Sequence, residues 1–598
     1  MFLPQLNPKL LHQAIIFGCE ALVREKDQLN AINIFPIADN DTGDNLASTA
    51  IAIINDDGRK STFKELFQTL ANASLFGARG NSGVIFSQFF NALAMTSFDK
   101  KQMNPVDLSV VLANAALLVR KSIACPVEGT ILTMMESFAE ASCTLSKKIA
   151  CFNQLMEQSL SILKDRLNKT TDSLPVLKQA NIVDAGALGF YIFVEGFAAF
   201  LSGTHITKPN KEKSFLYKSA HPIIIQDSPP LHRYCTEALI SAESIDLSLL
   251  TKIFEEKGDS LAFSGNQHMQ RLHIHTNTPR DVFSTLMSHG TITAPKVDDM
   301  LRQYQLSHDK KHNIALVTDS SADIPQALID EYQIHLIPLN IHLDQHTLLD
   351  RYCLDPLAFY QNLNTQKNHP KTSLPSMPVI EEKLRRLSQH YEQVIFISIA
   401  KAMSGTFDVV TQVAKKYPNV AVIDSRTNSG AQGLLVQYAG ELIKAQHSFQ
   451  SIMTAIEKAI SETSIFVIVN EFESMVRSGR INTIAGQMAR LSGIKPIISI
   501  DKTGKGSLYS SAFSTRSALS KLIKIIEQVR RRPGKELAEY CIVHAGVEEK
   551  ANDFAKLTTK ALQKPPAYIE DVSAVIGLHA GQGCIALAAR MRSTKDAS

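Results

Sequence analysis

The first two hundred residues carry apolar side chains three and four apart almost without interruption: LLHQAIIFGCEALV near the start, VIFSQFFNALAM from Val84, VVLANAALLV from Val110 and FNQLMEQSLSILKDRL from Phe152. That spacing lines one face of a helix, and no alternating strand pattern competes with it, so the segment reads as all-α. A polar stretch, THITKPNKEKS from Thr204, follows as a linker. From about His221 the pattern changes to short apolar runs, PIIIQ, SLAFSG and RLHIHT, mixed with the helix-like DVFSTLMSH. This predicts a small α+β unit ending near residue 300. A second polar stretch, SHDKKHN from Ser307, closes it. Beyond it NIALVTDS, QVIFISIA, NVAVIDS, SIFVIVN, KPIISI, YCIVHAG and SAVIGLHAGQG alternate with helical segments such as Val409 to Lys416, the mark of α/β architecture. The expected domains are 1–205, 215–305 and 312–598.

A chain of 598 residues has room for about four domains at roughly 150 residues each. With 44 % apolar residues it can bury several cores, which excludes a small disulfide-stapled scaffold. The balance of 62 Lys plus Arg against 58 Asp plus Glu leaves +4 and no general reason to expect a nucleic-acid partner; the run Arg530 to Arg532 reads as a solvated helix end. The eight cysteines, at 19, 125, 143, 151, 235, 353, 541 and 584, form no CxxC pair, so a reducing compartment, the cytoplasm, is expected. The opening MFLPQLNPKLL lacks the basic stretch, apolar run and cleavage site of a secretory signal. The most membrane-like stretch, Gly186 to Gly203, carries Glu195, and a carboxylate there costs roughly 3 kcal/mol on insertion. A buried helix is the better reading, and no transmembrane segment is expected.

Chemistry enters with FPIADNDTGDNL, which places Asp39 and Asp41 two apart beside Gly43 in a turn-rich segment. Two carboxylates this close repel unless a cation sits between them, and hard oxygen ligands favour Mg²⁺, particularly with nucleotide phosphates completing its shell; an acidic turn with local hydrogen bonds is the alternative. A second loop, FGARGNSGVIFSQ, offers Gly77, Gly80 and Gly83 with Asn81 and Ser82 just ahead of an apolar helix, so its amides can face an anion. Neither a Walker A loop nor a protein-kinase signature occurs. The segments DNDTGDN, GARGNSG, PVEGTIL from Pro126 and NIVDAGALGF from Asn181 occur in the order and spacing of the dihydroxyacetone-kinase-like nucleotide domain, and resemble its fatty acid kinase branch. The resemblance implies an eight-helix barrel with ATP and Mg²⁺ at one rim. It also implies that Asp39 and Asp41 hold Mg²⁺ and are the catalytic pair, that Thr42, Asn45, Asn81, Ser82 and Gly83 contact phosphates or metal, and that Gly129, Thr130 and Asp184 belong to the nucleotide site. Asn33 is a further candidate metal contact. The family usually carries Gly and Thr where this chain has Asn40 and Asp44, and Asp44 adds negative charge to the loop.

In the middle unit RLHIHT puts His273 and His275 two apart on a strand-like run, where both side chains project from one face. Cys235 in RYCTEAL is the natural third ligand of a Cys/His/His zinc site; a solvated His pair and a small buried Cys is the alternative. YCTE and HIHTN resemble the middle domain of the fatty acid kinases, which implies Zn²⁺ at Cys235, His273 and His275.

Farther on, strand ends run straight into hydroxyl- and glycine-bearing loops: TDSSADIP, KTSLPSMP, AKAMSGTFD and IGLHAGQG. Ligands of open α/β sheets bind beyond such ends, and Ser404, Gly405 and Thr406 opening a helix can hold a carboxylate, although each Ser can equally serve as an N-cap. With SGRI from Ser478 and STRSAL from Ser514, these segments resemble the DegV family of fatty-acid-binding proteins over residues 313–595. The resemblance implies a buried acyl tunnel with the carboxylate near Thr372, Ser373, Ser404, Gly405, Thr406 and His579, Asp319 and Ser320 at the start of the same mouth, and Arg480 and Arg516 meeting a phosphate or the kinase surface. Leu374 stands where the family usually has an amide.

These readings together give a multidomain fatty acid kinase, forming acyl phosphate from ATP and a bound fatty acid. A homodimer is expected, with transient membrane contact for lipid exchange. A dihydroxyacetone-type small-molecule kinase and a non-catalytic lipid sensor are the alternatives.

Overall fold

The computed structural model describes residues 2–35, 41–56, 60–123, 126–203, 229–363, 368–470 and 494–594. Asp39, Asn40, Arg480 and the stretch from Thr204 lie outside the described residues. The chain forms two compact units, Met1–Tyr304 and Gln305–Ser598.

The first unit opens with helices α1 (Pro8–Arg24), α2 (Lys26–Ala31), α3 (Thr42–Ile54), α4 (Phe63–Gly77), α5 (Gly80–Thr96), α6 (Pro105–Lys121), α7 (Ile131–Ser146), α8 (Phe152–Ser173), α9 (Pro175–Ala180) and α10 (Ala185–Ser202). Local chemistry fixes several starts: Asn7 caps α1 with Pro8 in its first turn, and Thr62 with Glu65 and Asn104 with Asp107 form reciprocal capping boxes on α4 and α6. The core is rich in phenylalanine, with Phe86 edge-on to Phe193 at 5.2 Å and Phe89 edge-on to Phe190 at 5.4 Å. Helix α10 crosses α1 at glycines: a Cβ on Gly18 would sit 2.6 Å from the Phe193 carbonyl oxygen. Among the described helices α10 alone has the length and apolarity to cross a membrane, and 78 % of it is buried in the fold.

The same unit continues into a four-stranded antiparallel sheet, order β2-β3-β1-β4, made of β1 (Tyr234–Ser241), β2 (Asp259–Asn266), β3 (Met269–Thr276) and β4 (Thr291–Asp299), with helices α11 (Leu247–Glu255) and α12 (Pro279–His289). The sequence pattern separates 1–205 from 215–305, yet here they form one unit. Strand β2 lies on α5: Gly265 N donates to Gln88 Oε1 (3.1 Å), Asn91 donates to the Gly265 carbonyl, and Ser264 meets Ser87 (3.2 Å). The partners are buried and polar, so no hydrophobic pattern announces them.

The second unit holds a parallel sheet in the order β11-β10-β5-β6, made of β5 (Ile314–Asp319), β6 (His335–Ile337), β10 (Gln393–Ser398) and β11 (Val420–Asp424). A small sheet pairs β7 (Asn340–Leu343) with β8 (His346–Leu349) and β9 (Lys371–Ser373). A third sheet, order β14-β13-β12-β17-β15-β16, comprises β12 (Thr463–Ile468), β13 (Lys495–Ile500), β14 (Gly506–Ala512), β15 (Lys535–His544), β16 (Ile569–Asp571) and β17 (Ile585–Ser593). The helix Ser429–Lys444 packs closely through its glycines: a Cβ on Gly430 would lie 2.8 Å from Cys541 Sγ and one on Gly433 2.5 Å from the Asp323 carbonyl oxygen.

One expectation changes here. SAVIGLHAGQG reads as a strand running into a loop, but Ala574–Ala580 is a helix that ends at Gly581 (φ +82°). A short buried apolar run has no decisive period, and tertiary bonds select the helix: Ser573 N donates to Asp323 (2.7 Å) and Val575 N to Asp350 (3.3 Å).

Candidate functional sites

In the first unit, two helix N-termini and one face of the sheet enclose a small polar cavity. Asn33, Asp41, Thr42, Asn45, Gly80, Asn81 and Ser82 line it from the helical side, and Cys235, His273, His275, Lys296, Asp298 and Gln303 from the sheet side. Asp41 precedes α3 without capping it; its carboxylate accepts from Asn45 Nδ2 (2.8 Å), while the Thr42 hydroxyl donates to Asn33 Oδ1 (2.5 Å). Gly80 opens α5 at φ +57°, and a Cβ there would strike Asn45 Nδ2 at 2.1 Å, so this position needs glycine on both counts. Helices of 13 and 17 residues thus begin at one space, lined by Thr42, Asn45, Asn81 and Ser82 of their first turns, an arrangement suited to phosphate oxygens, with Asp41 placed to hold a cation among them.

Asp44 does not load this space with charge. It bonds Lys26 Nζ (3.0 Å), Asn30 Nδ2 (3.0 Å) and, through its own amide, Asn30 Oδ1 (3.1 Å), all on α2. Gly83 packs below the cavity, where a Cβ would lie 2.9 Å from the Asn45 carbonyl oxygen. Gly129, Thr130 and Asp184 do not line it. Thr130 donates to the Val127 carbonyl (2.8 Å), and Asp184 caps α10 by accepting from Ala187 N (2.7 Å), its carboxyl pushed up by burial to about 7.

The sheet face follows from register. Cys235 on β1 lies opposite His275 on β3 and Asp298 on β4, and Glu237 lies opposite His273 and Lys296. Directly opposed residues share a face, so all six point the same way. The Cys235, His273 and His275 ligand atoms fall within 4.8 Å of one another and all three residues are buried, with Cys235 Sγ 3.7 Å from His273 Nδ1. Burial drives the Cys235 thiol well above its ordinary pKa and lowers that of His273. A bound cation would reverse the first effect, because coordination stabilises the thiolate. This donor set and spacing fit a zinc ion.

Glu237, which motif reading passes over, ties the two modules together. It accepts from Gly80 N (2.6 Å) and Arg271 Nη2 (2.7 Å) and lies 3.4 Å from His273 Nδ1. Burial favours its neutral form, but Lys296, His273 and Arg271 outweigh that and hold the carboxyl well below the usual range. Its place two residues after Cys235 is the signal that could have revealed it. Lys296 and Asp298 sit in a polar stretch with no strand pattern and gave none.

In the second unit a cavity of about 710 Å³ is walled by apolar side chains, among them Val467, Val469, Ile498, Val572, Val575, Ile576 and Ala586. Thr372, Ser373, Ser404, Gly405 and His579 line it as well, together with Asn428, Ser429 and Lys505. Leu374 also lines it and packs on Gly405, making that rim apolar. Thr406 is buried beside Ser404, their hydroxyl oxygens 2.8 Å apart. Asp319 and Ser320 lie beneath the cavity wall: Asp319 accepts from Ile399 N (2.8 Å) and Ser320 Oγ from Leu339 N (3.0 Å). Arg516 is exposed near the start of the helix Thr515–Arg530 and does not line the cavity.

Family models match three successive segments: the DAK2 domain over residues 36–199, a fatty acid kinase-like middle domain over 232–307, and the uncharacterised DegV protein family over 313–592. One chain carries all three domains. An uncharacterised protein of Staphylococcus saprophyticus is 29 % identical over 337 residues, 54 % of this chain and 61 % of that protein. Protein YloV of Bacillus subtilis is 28 % identical over 319 residues, covering 51 % of this chain and 57 % of its own length. The chain therefore spans less than two thirds of the length of these two relatives. A DegV domain-containing protein of Clostridium acetobutylicum is 29 % identical over 275 residues, 46 % of this chain and 96 % of that one. Among solved structures, a fatty-acid-binding DegV family protein of Streptococcus agalactiae is 26 % identical, with a TM-score of 0.43 over 46 % of this chain and 98 % of its own. The matches to the DAK2 and middle-domain models meet in the unit that holds the polar cavity, and the match to the DegV model covers the apolar one.

Proposed function

We propose that this protein is a fatty acid kinase that transfers the γ-phosphoryl group of ATP to a fatty acid carboxylate, giving ADP and an acyl phosphate. The observation that carries the reading is the pairing, on one chain, of an amide-lined polar cavity inside the DAK2 and kinase-like middle domains with a 710 Å³ apolar cavity inside the DegV domain. A cavity of that size suits a drug-sized or acyl ligand. Its apolar walls reward each buried methylene by about 0.8 kcal/mol. A triose, with almost no apolar surface, gains little there, which disfavours a dihydroxyacetone-type acceptor.

In this reading the ten-helix segment contains the eight-helix barrel, Asp41 with Asp39 holds Mg²⁺, and Cys235, His273 and His275 hold Zn²⁺. Mg²⁺, when bound, supplies charge neutralisation for the phosphates. The chain itself supplies orientation: the α3 and α5 amides seat phosphate oxygens, and Asn45 fixes the Asp41 carboxylate. In the second unit Thr372, Ser373, Ser404 and His579 meet the fatty acid carboxylate. That carboxylate, with a pKa of about 4 to 5 by analogy with Asp and Glu, is ionised at neutral pH and needs no general base. Catalysis then rests on positioning and charge. Fusion of both domains raises the effective acceptor concentration toward the millimolar range for a short flexible linker.

Lipid extraction and mass spectrometry of the purified protein, followed by incubation with labelled ATP and hydroxylamine trapping, tests the proposal. Acyl hydroxamate supports it; labelled triose phosphate, or bound lipid without turnover, overturns it.

A further inference from the structure

The sheet contributes more to the polar cavity than a metal cluster. Strand β4 is an edge strand, and its pairing with β1 slips by one residue: Leu239 lies opposite Thr293, but Glu237 lies opposite Lys296. Ala294 and Pro295 together therefore face the single residue Ala238, and Ala294 takes φ +46°, unfavourable for a residue with a Cβ. In an unslipped ladder Lys296 would lie opposite Thr236 and point to the far side of the sheet. The bulge turns Lys296 and Asp298 onto the face of Cys235 and His273, into the cavity that Asp41, Thr42, Asn81 and Ser82 line from the other side. Bulges beside functional sites re-aim side chains in this way.

Among the described residues lining that cavity, Lys296 is the one lysine or arginine. Its ammonium lies 2.8 Å from Asp298 and its side chain is 19 % exposed, so it is held without being sealed off.

We propose that Lys296 is a catalytic residue of phosphoryl transfer, its ammonium meeting the oxygens of the γ-phosphoryl group as that group leaves ADP. The inference rests on the kinase reading above. In the step, a fatty acid carboxylate oxygen forms a bond to the γ-phosphorus, and the bond from that phosphorus to the β,γ-bridging oxygen breaks. The electron pair stays on ADP and no proton moves. Negative charge spreads over the migrating group and the leaving oxygen, and a fixed cation in a partly dehydrated site stabilises it. The sheet module would thus complete the nucleotide site rather than merely abut it.

The test uses the full-length protein with Lys296→Met, which keeps the length and removes the charge, and Lys296→Arg, which restores the charge. Affinities for ADP and for β,γ-imido-ATP are measured beside acyl phosphate formation, with melting temperature and metal content to check folding. Lys296→Met is expected to lower kcat by about 10²- to 10³-fold. It should weaken the triphosphate analogue on the order of tenfold or more while ADP binds as before, and Lys296→Arg should recover part of both. A folded Lys296→Met protein with unchanged analogue-to-ADP preference overturns the assignment, whatever the acceptor. Absence of acyl phosphate from the wild type, with that preference lost in Lys296→Met, overturns the acceptor reading and leaves Lys296 standing.

Discussion

The polar cavity of the first unit is walled by amides, carboxylates and imidazoles from two modules, whereas the cavity of the second is walled mainly by apolar side chains, valine and isoleucine among them. Charged and hydrogen-bonded contacts at close quarters are individually large and depend on geometry; apolar contacts are individually small and add up. Single substitutions should therefore act nearly all-or-none in the first cavity and by degrees in the second. The second unit also buries ionisable groups, at Asp319, Asp323 and Asp350, with Arg351 half-buried beside them, but uses them beneath the cavity wall: Arg351 donates to the carbonyls of Ser320, Ala322 and Ile324. The lesson is that buried ionic groups mark a site only when they face open space.

The largest expected effect is at Asp41. Asp41→Asn removes the charge that would hold a cation beside the phosphates, and acyl phosphate formation should fall by at least about 10²- to 10³-fold. Lipid recovered from the purified variant should match the wild type by mass spectrometry. Full turnover by Asp41→Asn would remove the contrast at its root.

Next comes Glu237. Replacing it with Leu leaves Arg271 buried and unpaired and strips the Gly80 amide of its acceptor. Removing one partner of a buried pair costs about 3 to 5 kcal/mol. Calorimetry of the full chain should show one transition displaced to lower temperature and lipid occupancy unchanged. A uniform loss of both would mean that the two cavities are not independently supported.

These two residues also show what the sequence can and cannot convey. Asp41, Thr42, Asn81 and Ser82 lie in compact glycine-bearing motifs, and such motifs are readable because a phosphate-facing turn demands particular residues at fixed offsets. His273 and His275 were readable through the two-residue period of a strand. Lys296 was not, because its role depends on cross-strand register and on a bulge, neither of which leaves a local signature; Glu237 carried only the two-residue offset from Cys235, which gives its face but not its partners. Helices α1, α5, α6 and α8 followed from their spacing, while the union of the helical segment with the sheet depends on Asn91, Gln88 and Ser87 meeting β2. In the second unit the loops at Thr372 and Ser404 were legible as loops, but the cavity wall draws on strands far apart in the chain.

A smaller effect concerns pH. Burial pushes the Asp323 carboxyl up to about 7, opposed by Arg351 and the Ser429 hydroxyl. An unfolded Asp titrates near 3.9, so between about pH 4 and 7 the folded form binds the extra proton. Stability of the second unit should then fall as pH rises across that window. Denaturant midpoints measured from pH 4.5 to 7.5 check this, and Asp323→Asn should flatten the slope; an unchanged slope would place its origin elsewhere.

The smallest expected effect is at the cavity's hydroxyls. Ser404 lines the cavity, but its oxygen also accepts from Thr406 N (3.3 Å) at the start of a helix, so it holds the loop as well as facing a ligand. A hydrogen bond to a charged group contributes about 1.5 to 3 kcal/mol, and His579, Thr372 and Ser373 share the carboxylate in the proposed site. Ser404→Ala should accordingly weaken fatty acid binding by only about tenfold, at the lower end of that range. The buried acyl chain, at about 0.8 kcal/mol per methylene, supplies the bulk of the affinity, so shortening the acid by two carbons should cost more than this substitution. Displacement of a fluorescent fatty acid from the wild type and Ser404→Ala, each with acids differing by two carbons, compares the two costs directly. If the hydroxyl outweighs the methylenes, this cavity recognises its ligand as the polar one does, and the distinction between them fails.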